Sequence, residues 1–152
     1  LINETRKLIE YAGENGKKAC DELYRILKEK ELLEDVVFGT FNPDVTAYAD
    51  KNYPDMLRSA GFNEAIKFYI CSFLGLKREK SDFGFDALQI PTTDYVVNLG
   101  TSKVINYAHK LDIAVQYWTI NTAEEMEYLQ SVGADTIMTD RPDIGADTLN
   151  RP

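Results

Sequence analysis

The pattern of apolar and polar positions is clearest near the end of the chain, where it predicts a strand, a helix and a second strand. Residues alternate with the period of two typical of a strand over 113–120, and a shorter strand is predicted at 136–139. The helix between them predicts parallel strands, because only a crossover of that length returns the chain in the same direction. Functional groups gather at the carboxyl ends of such strands, where this sequence has Trp118, Asn121 and Asp140.

Two local sequence signals mark the beginning and the end of this predicted helix. Thr122 with Glu125 fits a capping box, and Asn121 with Glu124 fits a looser one that starts a residue earlier. Gly133 stands where the end of a helix needs a residue with positive φ. The helix is therefore expected to begin at Asn121 or Thr122 and to end before Gly133.

The rest of the chain repeats the alternation of strands and helices. Mostly apolar runs predict strands at 36–41 and 87–90, and the first run lacks polar alternation, which suits a strand buried on both faces of a parallel sheet. Apolar residues at helical spacing predict three further helices, over 14–30, 63–76 and 101–111. The fold class is thus α/β, with four parallel strands alternating with helices, half of an eight-stranded barrel.

A hydrophobic insertion around 52–80 is the unusual part of the chain. A helix is favoured there, with a strand over 66–72 as the alternative. The apolar face of the helix consists of Ile66, Tyr69, Ile70, Phe73 and Leu74. Such a face is usually core, which predicts a helix packed on the barrel. The alternative is a lid that contacts an acyl chain or a membrane surface, since the segment is too short to span a bilayer.

Composition limits the possible classes of function. The chain has 152 residues, of which 44% are hydrophobic and 28% charged, as expected for one soluble globular domain. A net charge of −8 argues against nucleic acid as a partner. Cys20 and Cys71 fall in apolar-periodic segments and are predicted to be buried thiols rather than a disulfide.

Several short motifs occur in a fixed order along the chain. Residues 36–41 (VVFGTF) come first, then Ala108-His109, then residues 117–121 (YWTIN), and finally residues 139–143 (TDRPD). In this order they resemble the end of the glycerophosphodiester phosphodiesterase family, which has a strand ending in Ser-Phe, an Ala-His helix, a Trp-Thr-Val-Asn strand and a Thr-Asp-x-Pro strand. The chain departs from the family at Thr40, which replaces the Ser, and at Asp112, which replaces a common Gly. The resemblance implies the C-terminal half of a (β/α)8 TIM barrel.

The resemblance also implies a reaction, the hydrolysis of glycerophosphodiesters to glycerol 3-phosphate and an alcohol. In the family a divalent cation, Mg²⁺ or Ca²⁺, polarises the phosphate, and two histidines act as general acid and base. The family's His-Arg-Gly motif, its acidic pair and its His-Asp motif are absent from this sequence. The cation is therefore expected to be bound mainly by residues outside the chain. Glu4 is the candidate ligand here, or else an ordinary surface carboxylate.

The resemblance further implies what this chain contributes to such a site. Phe41, Gln89 and Trp118 are expected to form the wall that packs against the glycerol or lipid part of the substrate. One alternative is a lysophospholipase D-type hydrolase of lysophospholipids, favoured by the hydrophobic insertion. The other alternative is a non-catalytic barrel fragment that acts as a binding module.

The chain begins with Leu rather than Met, so we expect it to be a piece of a longer protein. Residues 1–152 would form the C-terminal portion of a barrel domain, and the N-terminal half would be its partner, because half a barrel leaves open sheet edges. Whether the protein is cytoplasmic or membrane-associated stays open. His109 is expected in mid-helix without a catalytic role, and the polar tail after Asp143 is expected to cap the last unit or to fray.

Overall fold

Residues 14–94 and 97–149 are described by the computed structural model. They fall into two units, Leu1–Glu64 and Ala65–Pro152, each with buried apolar residues of its own. Glu4 lies outside the described residues.

The first unit contains helix α1 (Glu14–Glu29) and helix α2 (Pro43–Asn52). Asn42 caps α2 by accepting a hydrogen bond from the backbone N–H of Asp44 at 3.0 Å. Pro43 is the first helical residue, a position where its missing N–H costs nothing. The two helices share a core formed by Cys20, Leu27, Phe38, Val45, Ala49 and Met56.

The predicted strand over 36–41 is wrong. Among the described residues, only Phe38 of this run pairs, in an isolated parallel bridge with Arg58. The N–H of Phe38 donates to the oxygen of Leu57 and its oxygen accepts from Ser59, both at 2.8 Å. Phe38 is 2% exposed, so the apolar run is buried at its centre. Within residues 14–94 and 97–149 the run has no neighbouring strand along its length, so no longer ladder forms there.

The second unit is built on a three-stranded parallel sheet, whose strands lie in the order β1 (Ala87–Ile90), β4 (Ala114–Tyr117) and β5 (Thr136–Ile137). Strand β1 has the predicted bounds, while β4 and β5 are shorter than predicted. A two-stranded antiparallel sheet, β2 (Thr93–Asp94) with β3 (Val97–Asn98), follows β1. The predicted alternation of parallel strands and helices is confirmed for these elements.

Four helices belong wholly or mainly to this second unit. They are α3 (Phe62–Leu74), α4 (Ser102–His109), α5 (Ala123–Ser131) and α6 (Pro142–Leu149). Thr122 caps α5 by accepting from the N–H of Glu125, so the N-cap is Thr122 and not Asn121. Gly133 follows α5 with a φ of 93°, as predicted. The tail does not fray up to Leu149, because Pro142 starts a helix whose Gly145 and Thr148 are buried; of the two alternatives predicted for the tail, only fraying is excluded there.

The insertion forms α3, which excludes the strand alternative, but the predicted packing of its face is wrong. The residues that α3 buries are Phe68, Cys71 and Ser72. Ile66, Ile70, Phe73 and Leu74, on the face expected to pack as core, are 45–61% exposed. Among the described residues, no helix combines the length and apolar character that crossing a membrane requires. Cys20 and Cys71 are both buried free thiols, as predicted.

Candidate functional site

The carboxyl ends of the three parallel strands lie level with one another. Ile90 pairs with Tyr117, and Tyr117 pairs with Ile137, so the last residues of the three strands are register partners. The ladder continues one step further, because the N–H of Trp118 donates to the oxygen of Ile90 at 3.2 Å. In open sheets of parallel strands, ligands bind outside this edge.

One face of the sheet is apolar and buried, and the other carries amides. Leu88, Val115 and Tyr117 are at most 1% exposed. On the opposite face Gln89 and Gln116 are register partners, and Gln89 Nε2 donates to Gln116 Oε1 at 2.9 Å. Both side chains are only partly buried. The other polar atoms of the two amides, Gln89 Oε1 and Gln116 Nε2, make no hydrogen bond within the described part of the chain.

Trp118 lies two residues after Gln116, so the pleat of the strand directs both side chains to the same face. The indole is partly buried, and the peptide bond from Trp118 to Thr119 is cis. The structure therefore brings two of the predicted site residues, Gln89 and Trp118, to one face of the sheet. Gln116 belongs to the same group and was missed, although its place two residues before Trp118 was the available signal.

Asn121 joins the loops that follow β4 and β5. Its Oδ1 accepts from Thr139 Oγ1 at 3.1 Å and from the N–H of Asp140 at 2.9 Å. Thr139 Oγ1 in turn accepts from the N–H of Arg141 at 2.9 Å. Asn121 thus connects the loop after β4 to the loop after β5 by hydrogen bonds, and Asp140 beside it is exposed.

Tyr117 fixes a third loop at this edge. Its phenol donates to the backbone oxygen of Leu99 at 2.8 Å, and burial raises the pKa of the phenol. Leu99 and Gly100 both donate backbone N–H groups to the oxygen of Thr92, which closes the loop that contains β2 and β3. Thr92 Oγ1 also donates to Glu125 Oε1 at 2.8 Å, so the loop is bound to α5 as well.

The third predicted wall residue, Phe41, belongs to the first unit and is 46% exposed. Phe41 lines a cavity of about 370 Å³ together with eight other residues: Pro43, Thr46, Ala47, Asp50, Gly61, Phe62, Asn63 and Glu64. Aromatic rings and carboxylates therefore share one cavity in this unit.

Arg58, which is 4% exposed, forms ion pairs with both carboxylates of the cavity. It donates to both oxygens of Glu64, at 2.8 and 2.9 Å, and to both oxygens of Asp50. Burial opposes the charged form of Arg58, but the bonds to Glu64 and Asp50 outweigh burial and raise the pKa. Sequence reasoning missed this triad, because nothing in a lone Arg indicates which carboxylates will surround it.

The described residues do not form a site for a divalent cation. Within residues 14–94 and 97–149, no three side chains of the His, Cys, Asp and Glu types come together closely enough to bind a metal. The two carboxylates of the cavity are already held by Arg58. Glu4, the predicted candidate ligand, stays a prediction, because it lies outside these ranges.

His109 is distant in the fold from the strand-end edge. It is the last residue of α4 rather than a mid-helix residue, which corrects the prediction of its place. Its Nε2 lies 2.9 Å from Asp135 Oδ2, and Asp135 precedes β5 and also accepts from the N–H of Val115. These contacts place His109 at the amino-terminal side of the sheet, where it connects the end of α4 to Asp135, just before β5.

Comparison with known protein families gives a match over most of the chain. The model of the glycerophosphoryl diester phosphodiesterase family matches residues 2–144 of the chain. No curated protein gives a significant match.

Two solved structures share the fold at low sequence identity. One is a protein from Silicibacter pomeroyi DSS-3 assigned as a glycerophosphoryl diester phosphodiesterase, with 16% identity and a TM-score of 0.64, over 88% of this chain and 44% of that one. The other is a glycerophosphodiester phosphodiesterase from Parabacteroides distasonis ATCC 8503, with 18% identity and a TM-score of 0.56, over 88% of this chain and 50% of that one. The chain therefore spans about half the length of these proteins. The predicted fold class, part of a TIM barrel, is confirmed.

Proposed function

Because the chain belongs to the glycerophosphoryl diester phosphodiesterase family, we propose that the protein hydrolyses glycerophosphodiesters to glycerol 3-phosphate and an alcohol. The observation that carries this proposal is the family match over residues 2–144. The strand-end edge supports it, since that edge is where enzymes with parallel β/α units place their chemistry.

In this proposal the amide face of the sheet binds the glycerol part of the substrate. The hydrogen bond of the Gln89–Gln116 pair engages Gln89 Nε2 and Gln116 Oε1, which leaves Gln89 Oε1 as an acceptor and the NH2 group of Gln116 as a donor. A glycerol hydroxyl both donates and accepts, so it can bond to each. The indole of Trp118 on the same face supplies an apolar surface for the carbon chain of the glycerol.

The chemistry at phosphorus is not assigned to the described residues. The family generally uses divalent metal ions, but the described residues offer no matching set of ligands. In the proposal the task of Gln89, Gln116 and Trp118 is to bind and orient the substrate. Removal of such a residue should weaken substrate binding more than it slows the chemical step.

Kinetics of the full-length protein that contains this chain would test the proposal. With glycerophosphocholine as substrate, Trp118→Ala should raise KM several-fold and lower kcat less. Tyr128→Ala is the control, because Tyr128 is an exposed aromatic residue on α5. A large loss of kcat with unchanged KM would contradict a role in the substrate wall. Absence of turnover in the full-length protein would favour the non-catalytic alternative.

A lysophospholipase D-type activity is the second candidate, and the exposed apolar face of α3 favours it. Tyr69 and Phe73 on this helix stack with ring centroids 6.1 Å apart. If the helix holds an acyl chain, exchange of both residues for Ser should reduce choline release from lysophosphatidylcholine but not from glycerophosphocholine. An equal reduction for both substrates would remove the acyl-chain role.

A further inference from the structure

Helix α3 presents an apolar face to the outside. Its exposed apolar side chains in the second unit are Ile66 (45%), Ile70 (49%), Phe73 (60%) and Leu74 (61%). These positions follow the helical period, so they form one stripe rather than scattered residues. A contiguous apolar stripe marks an interaction surface, whereas single exposed apolar residues do not.

The opposite side of α3 fixes this orientation. The ring of Phe68 packs against the rings of Phe83, Phe85 and Tyr107, with centroids 5.1, 6.0 and 5.2 Å away. The phenol of Tyr107 donates to the oxygen of Leu76 at 2.8 Å, just beyond the end of the helix. To bury the stripe by rotation of α3, the chain would have to break this aromatic cluster.

Basic side chains surround the stripe. Lys103 donates to the oxygen of Phe73 at 2.7 Å, and its Nζ lies 5.0 Å from the centroid of the Phe73 ring. Lys77 and Arg78 are exposed directly after the stripe. Residues 65–82 contain four basic and two acidic side chains, in a chain whose net charge is −8. The apolar stripe therefore lies in a basic part of an otherwise acidic protein.

We propose that α3 docks on an anionic lipid surface, with the stripe in the boundary between headgroups and acyl chains and the basic residues against the headgroups. A protein partner fits less well, because Lys is depleted at protein–protein interfaces, whereas helices that lie in the membrane interface are rich in Lys and Arg. The inference does not depend on the proposed activity, since docking requires no turnover.

Vesicle sedimentation of the chain tests the docking surface directly. The affinity for vesicles of phosphatidylcholine and phosphatidylglycerol should exceed the affinity for phosphatidylcholine vesicles by about fivefold for each basic residue that contacts the headgroups. Added salt should lower the affinity for the mixed vesicles. Ile70→Ser with Phe73→Ser should weaken binding by at least about tenfold. The matched control is Ile26→Ser with Tyr128→Ser, which removes one exposed Ile and one exposed aromatic residue from other helices.

A second pair of variants tests the charge. Lys77→Glu with Arg78→Glu should abolish the preference for phosphatidylglycerol, whereas Lys18→Glu with Lys110→Glu, both exposed elsewhere, should retain most of it. Absence of vesicle binding, equal losses in the test and control pairs, or equal binding to neutral vesicles would each overturn the proposal. So would a dimer in solution that Ile70→Ser with Phe73→Ser dissociates, because the occupant of the stripe would then be a second copy of the chain.

Discussion

The guanidinium of Arg58 donates to both oxygens of the Glu64 carboxylate, at 2.8 and 2.9 Å. The Arg58 side chain is 5% exposed and that of Glu64 29% exposed, so the pair stands at the boundary between core and cavity. Glu64 Oε2 also accepts from the N–H of Gly61 at 2.7 Å. One carboxylate thereby holds both the buried cation and the chain just before α3, on the wall of the cavity that Phe41 lines.

Arg58→Met should lower the free energy of unfolding by about 3 kcal/mol, because loss of the cation leaves two carboxylates facing each other without a counter-charge. Arg25→Met is the matched control, since Arg25 also bonds two carboxylates, Glu22 and Glu29, but its side chain is 53% exposed. The control should lose less than about 1 kcal/mol. Urea unfolding followed by circular dichroism measures both changes, and equal losses would show that burial of Arg58 contributes nothing.

Asp112→Gly should raise the free energy of unfolding by about 0.5 kcal/mol. Asp112 has a φ of 55°, and the N–H of Ile113 donates to the oxygen of Ala108, as in a Schellman motif at the end of a helix. Gly133 ends α5 in the same way, with the N–H of Ala134 donating to the oxygen of Leu129.

The converse change, Gly133→Ala, should cost about 1 kcal/mol. Its new Cβ would meet only ordinary contacts, with Ile105 at 3.7 Å and His109 at 3.9 Å, so the loss would come from the backbone. Unfolding followed by the fluorescence of Trp118, the single tryptophan, measures both variants. A loss of stability in Asp112→Gly would refute the strain argument.

The sequence predicts an element well where its signals are local. Strand β1 and the cap of α5 depend on neighbouring residues: the strand is found where it was predicted, and the cap is Thr122, one of the two predicted residues. The prediction of a strand at 36–41 was wrong because strand pairing is non-local: in the part of the chain that the structure describes, only Phe38 of this run pairs, with Arg58. Helix α6 was missed because polar composition was weighed above Pro142, a residue that suits a first helical turn.

The candidate site, too, could be predicted only where its signals are local in the sequence. Strand alternation predicted the face of Trp118, whereas Gln89 was named from the family resemblance, and the role of both residues in substrate binding stays a prediction. Periodicity also found the apolar stripe of α3, but it could not tell whether another element covers that stripe. The Arg58 triad could not be predicted, because its three members come together only in the folded chain.

Cys20 should make the stability of the chain fall at alkaline pH. Burial, with a smaller contribution from the charge of Asp21, raises the pKa of the thiol from 9.0 to about 11. The unfolded chain then loses the proton first, so the contribution of the thiol is complete below about pH 9 and declines up to about pH 11. The difference in the free energy of unfolding between the unchanged chain and Cys20→Ala should therefore decrease from about pH 9 to about pH 11. Urea unfolding at several pH values measures this difference. A constant difference would mean that the thiol titrates alike in both states.

The amide pair Gln89–Gln116 should show coupling in a double-mutant cycle. Gln89→Leu or Gln116→Leu alone leaves one half-buried amide without its partner, so each should cost about 1 kcal/mol. The double variant should cost less than the sum, by roughly 0.5–1 kcal/mol, because no amide is then left unpaired and two Leu side chains can pack across the strands. Binding of glycerol 3-phosphate gives the second readout, since the proposed site needs the free acceptor and donor of the pair. Coupling in stability with unchanged glycerol 3-phosphate binding would make the pair a structural feature of the sheet alone, and substrate binding at this face would then have to depend on Trp118.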